Sequence, residues 1–227
     1  MISVREVTVR LAERLALDSI TLDIADGEVV ALVGANGAGK TTLLRVIATE
    51  IAPTRGTVEV AGHDTRRAPR RVREQLGVMP HTHGLYPRLT VREQLRVFGL
   101  LYGLRGRDLR TRVEELLTLS DLDDRRNDLI AALSAGMLRR LSFVCALVHH
   151  PTAIVLDEPT DNMDDASRTR TYAIIDKLRK QRASVLLATH DADEAVLLAD
   201  RIATLNSGRM VGCALNRHSG ALVERRA

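Results

Sequence analysis

Residues 34–42 read GANGAGKTT, and this glycine-rich run decides the fold. It satisfies the pattern G-x-x-x-x-G-K-[ST], which cradles nucleotide phosphates when a strand precedes it and a helix follows. Val29–Val33 is a short apolar run typical of a strand buried on both faces. From Lys40 to Glu50 the apolar residues have helical spacing. The sequence therefore predicts a phosphate-binding loop between a buried strand and a helix.

The chemistry of this loop follows from its residue types. Glycines permit backbone angles that turn successive N–H groups inward, and the N-terminus of the following helix adds positive partial charge. A tight glycine turn without a ligand is the alternative. The loop alone does not separate P-loop kinases, GTPases and ATPases. The predicted phosphate-binding residues are Gly34, Ala35, Asn36, Gly37, Ala38, Gly39, Lys40, Thr41 and Thr42.

The lysine of the loop is unusual in this chain. The sequence has 33 basic residues, and all are arginine except Lys40, Lys177 and Lys180. A compact ammonium can lie between two phosphates as a point charge, where a planar guanidinium would not fit the same pocket. The hydroxyl of Thr41 is predicted to bind Mg²⁺, and Thr42 to donate to another phosphate.

Two further segments supply charged groups at predicted strand ends. Ala153–Leu156 is a buried strand followed by two acids, of which Asp157 is expected to hold Mg²⁺ and Glu158 to act as general base. His190 follows a strand over Val185–Ala188 and could contact the γ-phosphate. Solvated acids and a helix-capping histidine are the alternatives. The carboxyl ends of parallel strands face the ligand crevice, which favours the site.

The composition of the chain argues against several classes of function. The net charge of +4 is spread among 29 acidic residues, and aromatics are only 2%, so a nucleic-acid partner is not expected. Cys145 and Cys213 form no disulfide or zinc pattern and are predicted to be small apolar fillers. No signal peptide is recognised, and no apolar stretch approaches the roughly 18 residues of a membrane span. A soluble, cytoplasmic chain is expected.

The order of predicted elements suggests one domain over residues 1–227. A β-rich beginning and an alternating α/β body, residues 1–84 and 145–227, surround a helical lobe at 85–144. Thr90–Glu93 is a capping-box pattern that opens the first helix of the lobe, and another helix is expected near Ser134. Arg66–Arg73 is predicted to be a basic loop, and the tail Arg217–Ala227 is polar.

The run LSAGM at 133–137 allows these features to be interpreted together. With the phosphate loop, the acids and His190 in this order, the chain resembles the ATP-binding subunit of an ABC transporter. The resemblance implies a P-loop ABC ATPase fold with a mostly parallel core sheet, an N-terminal antiparallel β subdomain and an inserted helical subdomain. Members carry a signature near L-S-G-G-Q that binds the γ-phosphate of ATP held by a second subunit. Ser134 and Gly136 match it, whereas Ala135 and Met137 depart from it.

The resemblance also implies cofactors and a partner. ATP and Mg²⁺ are expected, and two copies are expected to pair head-to-tail, or one copy with a paralogous ATPase. Since one chain cannot easily bring its own loop and its own lobe to one ATP, the partner would complete each site. Asp164 matches the last acid of the loop that communicates between paired sites in the family.

Two positions depart from the family pattern. His81 stands where members carry a Gln that senses Mg²⁺, water and the membrane partner, and it is assigned that role. His81 and His83 alone are weak evidence for a metal site. No aromatic residue precedes the second strand, so Leu11, helped by Arg14, is expected to contact the adenine.

The branch of the family is indicated by residues 84–93, 136–137 and 146–151, which resemble NatA-like exporter ATPases. These include sodium, drug and polysaccharide export subunits, which drive a separate integral membrane permease from the cytoplasmic face. The alternative is a single-cassette ATPase that serves a non-transport assembly, such as iron–sulfur cluster building or control of cell-wall hydrolases. A P-loop kinase would lack the Ser134–Gly136 element.

Overall fold

The computed structural model describes residues 1–82 and 84–216. Within them, the chain forms ten strands and seven α-helices, with two short 3₁₀ turns at Asp123–Arg125 and Ile130–Ala132. No helix among these residues is both long and apolar enough to cross a bilayer. The strands are β1 (Ile2–Leu11), β2 (Arg14–Ile24), β3 (Val29–Val33), β4 (Arg55–Val60), β5 (His63–Asp64), β6 (Leu76–Met79), β7 (Ala153–Asp157), β8 (Ser184–Thr189), β9 (Arg201–Asn206) and β10 (Arg209–Leu215). The helices are α1 (Lys40–Ile47), α2 (Pro69–Gln75), α3 (Val91–Leu101), α4 (Gly106–Ser120), α5 (Ala135–Ala146), α6 (Asp165–Lys180) and α7 (Ala192–Leu198).

The described strands lie in two sheets. A six-stranded sheet has the order β10-β9-β3-β8-β7-β6, and its strands are parallel except for β10. A four-stranded antiparallel sheet has the order β2-β1-β4-β5. The predicted mostly parallel core sheet and antiparallel β-rich beginning are therefore confirmed.

The parallel sheet brings distant parts of the sequence to one edge. β3 and β8 pair in parallel with Val33 beside Thr189, and β7 and β8 pair with Asp157 beside Ala188. The four residues Val29–Leu32 are completely buried, as expected for a strand covered on both faces. Since all three strands end at the same edge, the residues that follow them meet there.

The segment between β6 and β7 is mostly helical. α3, α4 and α5 pack through a shared apolar core that includes Leu95, Leu116 and Leu141. α3 begins with the predicted capping box: the Thr90 side chain accepts from the Glu93 backbone N–H, and the Glu93 carboxylate accepts from the Thr90 backbone N–H. α5 begins directly after Ser134 and continues to Ala146.

Several local predictions were wrong. The basic stretch Arg66–Arg73 is not all loop, because α2 begins at Pro69 in the first helical position and buries Val72 completely. α1 ends at Ile47, three residues before the predicted Glu50. β5 and the edge strand β10 were not predicted. Cys145 is a buried apolar filler as expected, but Cys213 on β10 is exposed.

Candidate nucleotide-binding site

The glycine-rich loop joins β3 to α1 and needs glycine at two positions for measurable reasons. A Cβ atom on Gly34 would lie 2.2 Å from the Leu205 carbonyl oxygen of β9. Gly39 precedes α1 with φ of 111°, and a Cβ there would lie 2.9 Å from the Ala16 carbonyl oxygen. Close backbone approach and a left-handed conformation therefore both exclude larger residues.

Lys40 is buried inside the loop that precedes it. Only 6% of the residue is exposed, and its Nζ donates to the carbonyl oxygens of Gly34 at 2.6 Å and Ala35 at 3.4 Å. An ammonium has three N–H donors, and these two carbonyls use two of them. The geometry holds one positive charge at the base of the loop.

The end of β7 is joined to the start of α1 by a hydrogen bond. The Thr41 hydroxyl donates to Asp157 Oδ2 at 2.8 Å, and Asp157 is buried. One hydroxyl and one carboxylate fit Mg²⁺ only if phosphates and waters supply the other oxygens, which is how proteins usually hold this ion. No cluster of three or more His, Cys, Asp or Glu ligands occurs in the described ranges. His83, the second member of the weak histidine pair, lies outside them.

Glu158 has a strained backbone and a fixed carboxylate. Its φ is +52°, a left-handed conformation that costs a non-glycine residue about 1–3 kcal/mol. The Glu158 backbone N–H donates to the Ala188 carbonyl at 2.9 Å. Its Oε2 accepts from the His190 backbone N–H at 3.3 Å and lies 2.7 Å from His190 Nδ1. The Glu158 side chain is 11% exposed and the imidazole 64%, so the carboxylate is shielded while the ring faces outward.

One cavity of about 360 Å³ collects most of the predicted residues. No Phe, Tyr or Trp lines it among the residues that the structure describes. Arg14 Nη2 donates to the Gly37 carbonyl at 3.1 Å, which ties the β1–β2 hairpin to the loop. Gly34, Ala38 and His190 adjoin this lining without forming part of it. The lining residues are Leu11, Arg14, Ala16, Ala35, Asn36, Gly37, Gly39, Lys40, Thr41, Thr42, His81, Asp157 and Glu158.

The predicted signature residues lie apart from this cavity. The Ser134 hydroxyl accepts from the Met137 backbone N–H at 3.3 Å, so Ser134 caps α5. Ser134 and Ala135 are exposed, and Gly136 and Met137 are partly buried. A Cβ on Gly136 would lie 3.2 Å from the Asn162 carbonyl oxygen, which places the loop after the acids directly against this turn.

Asp164 ends that loop by capping α6. Its Oδ1 accepts from the Ser167 backbone N–H at 2.7 Å, and hydrogen bonds from Ser167 lower the pKa of the Asp164 carboxyl. Asp164 is exposed, as are Ser134 and Ala135. The structure thus divides the predicted residues into two groups, one around the cavity and one on the surface at the starts of α5 and α6.

Arg139 is a residue of this region that sequence reasoning missed. It is only 3% exposed, and its guanidinium donates to the main-chain carbonyls of Asp157, Glu158 and His81. Burial lowers the pKa of Arg139, while the nearby acids Asp161, Asp157 and Glu158 raise it. The sequence did contain one signal for it. Arg139 lies one helical turn before the apolar Phe143, so a helix here places a charged residue on its buried face.

The buried strand, the glycine-rich loop with its lysine and the adjacent acids define a P-loop nucleotide-hydrolysing protein. Comparison with known families makes this specific: a model of the ABC transporter family matches residues 17–161, and the chain belongs to that family. It is an ATP-binding cassette ATPase of the NatA-like kind.

Curated relatives agree with this assignment. The chain is 36% identical over 197 residues to the ABC transporter ATP-binding protein NatA of Bacillus subtilis (strain 168), covering 86% of this chain and 80% of that one. It is 38% identical over 202 residues to the daunorubicin resistance ATP-binding protein DrrA3 of Streptomyces coeruleorubidus, covering 89% and 64%. It therefore spans less than two thirds of DrrA3.

Solved structures share the fold over nearly their whole length. A dimeric ATP-binding cassette in a post-hydrolysis state, bound to ADP and Pi, superposes with a TM-score of 0.88 at 26% identity, covering 96% of this chain and 99% of that one. The ATP-binding subunit of an ABC transporter gives a TM-score of 0.89 at 29% identity, covering 95% and 90%. The predicted family and fold are confirmed.

Proposed function

We propose that this chain hydrolyses ATP to power an exporter through a separate integral membrane permease. The observation that carries the proposal is the meeting of Thr41, Asp157 and Glu158 with the phosphate loop in one cavity. The relative named for daunorubicin resistance supports an export role. So does the Nod factor export ATP-binding protein I of Paraburkholderia xenovorans (strain LB400), to which the chain is 36% identical over 199 residues. The proposed cargo is an ion, a drug or another small molecule, and transport assays in vesicles would identify it.

Most residues of the cavity have a proposed role in holding the nucleotide or the metal ion. The loop amides and Lys40 hold the phosphates, Thr42 adds a hydroxyl donor, and Leu11 with Arg14 contacts the adenine. Thr41 and Asp157 hold Mg²⁺, with His81 beside them as the sensing residue. When bound, the ion neutralises charge on the phosphate oxygens.

Hydrolysis itself depends on two side chains of the cavity edge. Glu158 accepts a proton from the attacking water, and its shielded carboxylate is suited to this because few competing waters reach it. As an imidazolium, with N–H on both ring nitrogens, His190 can donate from Nδ1 to that carboxylate and from Nε2 to the γ-phosphate.

The exposed group at the starts of α5 and α6 is proposed to serve a second subunit. The cavity of the same chain is not lined by any of the four signature residues Ser134, Ala135, Gly136 and Met137. Ser134 nevertheless caps a 12-residue helix, and a helix N-terminus can stabilise an anion. A head-to-tail pair, of two copies or of one copy with a paralogous ATPase, would bring this turn to the other subunit's γ-phosphate. Asp164 would communicate between the paired sites.

The permease is proposed to dock beside His81. A groove of about 370 Å³ lies there between α1 and the end of β6, and Arg45, Glu50 and Pro80 contribute to its lining. Movement of a permease helix in this groove would reach the cavity through His81, which lines both. The chain would then work peripherally on the cytoplasmic face of the membrane, without a nucleic-acid partner. We also retain the proposed division into residues 1–84 and 145–227 as core and 85–144 as helical lobe.

The proposal is tested by phosphate release from ATP with Lys40→Ala and Glu158→Gln. Removal of a general base costs about 10²–10⁴-fold in rate, so Glu158→Gln should fall by at least about 10²-fold. Lys177→Ala is the matched control, because Lys177 is an exposed lysine of α6 that does not line the cavity. If the purified Lys40 and Glu158 variants turned over ATP as fast as the unchanged chain, the assignment of this cavity would be wrong.

The paired arrangement and the permease need separate tests. Specific activity should rise with protein concentration if two chains complete each site, and should stay constant on dilution if one chain suffices. Purification from membranes should recover a protein with several membrane-spanning segments if the chain serves a permease. Recovery of a soluble assembly in its place would favour the non-transport alternative.

A further inference from the structure

Arg139 joins two segments that line the cavity. Nε donates to the Glu158 carbonyl oxygen at 2.9 Å, and Nη2 donates to the carbonyls of Asp157 and Glu158. Nη1 donates to the His81 carbonyl at 2.7 Å and approaches that of Pro80 at 3.4 Å. One side chain of α5 therefore holds the end of β7 and the segment after β6 together.

The chemistry of these contacts leaves the acids free. All the acceptors of Arg139 in the described part of the chain are main-chain carbonyls, although Asp157 and Glu158 lie next to it. A guanidinium bound to the carboxylates would occupy the oxygens that Mg²⁺ and the attacking water need. Bound to the carbonyls, it fixes the backbone of these residues and leaves their side chains available.

The backbone that Arg139 holds is the strained one. Glu158 has a φ of +52°, so its conformation persists only where the surroundings determine it. Its N–H is fixed by Ala188, and its carbonyl accepts from the Asp161 backbone N–H at 3.2 Å as well as from Arg139. Without the guanidinium, the longer contact from Asp161 would remain, and the peptide after Glu158 could relax and turn the carboxylate with it.

We infer that Arg139 is a positioning residue for ATP hydrolysis, which fixes Glu158 and His81 relative to each other. This inference rests on the proposed function of Glu158. Because Arg139 lies five residues after Ser134 on the same helix, it also makes the placement of Glu158 depend on the position of the α5 N-terminus. A movement of this turn is thereby transmitted to the hydrolytic centre of the same chain.

The test compares Arg139→Met and Arg139→Lys with a matched control. Arg112→Met is that control, because Arg112 also donates to main-chain carbonyls, those of Leu147 and Val148, away from the cavity. A displacement of about 1 Å at a catalytic group can cost about 10²-fold. We expect Arg139→Met to lower kcat by about that factor while KM for ATP stays within about threefold, since its phosphate loop is untouched. Arg139→Lys should recover part of kcat, and Arg112→Met should stay within about twofold of the unchanged chain.

A double-variant cycle separates positioning from general loss of structure. If Arg139 acts through Glu158, Arg139→Met should change the residual rate of Glu158→Gln by less than about threefold. The inference is overturned if Arg139→Met has the kcat of Arg112→Met, or if its loss lies in KM. If Arg139→Met does not fold, Arg139→Lys decides: a kcat lowered at least fivefold at constant KM supports the inference, and an unchanged kcat overturns it. Full activity of Glu158→Gln would instead refute the proposed function.

Discussion

Replacement of His190 tests how the carboxylate of Glu158, the proposed general base, is held. Glu158 Oε2 lies 2.7 Å from His190 Nδ1 and 3.3 Å from the His190 backbone N–H. His190→Ala removes the ring and keeps the backbone contact. Asparagine places an amide nitrogen near the position of Nδ1, so His190→Asn restores the contact to Glu158 but not the Nε2 end of the ring. The pair of variants therefore separates the two roles proposed for this histidine.

The expected loss can be worked from the geometry. A hydrogen bond to a charged group contributes about 1.5–3 kcal/mol, and because the ring is 64% exposed, water replaces part of it. The lower half of that range, about 1.5–2 kcal/mol, corresponds to roughly 10–30-fold in rate. If Nε2 makes a second contact of similar strength to the γ-phosphate, His190→Ala should lose about 10²–10³-fold and His190→Asn only about 10–30-fold.

The assay is phosphate release at saturating ATP and Mg²⁺, at a protein concentration where specific activity no longer rises. Lys40→Ala, purified in parallel, sets the background from contaminating ATPases. Equal losses in His190→Ala and His190→Asn would remove the role of Nδ1 and leave only the phosphate contact. A kcat of His190→Ala within threefold of the unchanged chain would refute the reasoning altogether.

Three further predictions concern other parts of the molecule. His81→Gln should keep phosphate release within about threefold, because an amide also donates and accepts, and a complete loss would show that the imidazole has chemistry of its own. Gly39→Ala should abolish binding of ATP in calorimetry, since a Cβ would lie 2.9 Å from the Ala16 carbonyl oxygen at a φ of 111°; binding at normal affinity would contradict this. Burial lowers the pKa of His149 to about 4 from an ordinary value near 6.5. As pH falls, this histidine therefore takes up a proton in the unfolded chain before it does so in the native state. The native state loses stability between about pH 6.5 and about pH 4 for this reason. His149→Phe removes the titrating group and can keep the stacking on Tyr102. In urea titrations, the unfolding free energy lost between pH 7 and pH 5 should be smaller in this variant by roughly 1–2 kcal/mol. An unchanged loss would exclude His149 as its source.

Much of the fold could be predicted because its signals are local. The apolar run Val29–Val33 became β3 without change of bounds, and the capping box at Thr90 begins α3 as expected. The error at Arg66–Arg73 has a physical cause. Proline suggested a loop, but proline is also favoured in the first turn of a helix, and a single buried valine anchors α2 to the core. One apolar residue in seven is too weak a pattern to show a helix.

Residues of the candidate site could be proposed from the sequence where they are contiguous in it. The phosphate loop and the pair Asp157–Glu158 carry their chemistry in adjacent positions, so a pattern can reveal them. The ties between segments cannot be found in this way. Arg14 reaches the Gly37 carbonyl across 23 positions, and Arg139 reaches His81 across 58. Because arginine is so common in this chain, neither residue stands out by its type. The fold is needed to show which guanidinium groups donate to main-chain carbonyls of distant segments.

Several proposed site residues are exposed in the single chain, which suggests how pairing of two chains could control hydrolysis. The Glu158 carboxylate is shielded, but its partner imidazole faces outward, as do Ser134 and Asp164. Electrostatic contacts in water are weak and strengthen as the local dielectric falls, so covering this surface would reinforce the contact between Glu158 and His190. The same covering would bring the N-terminus of a second α5 toward the phosphates. Through Arg139, α5, the helix proposed to serve the partner's nucleotide, also holds the backbone of its own Glu158. Each half of a pair would then be ordered by its engagement with the other.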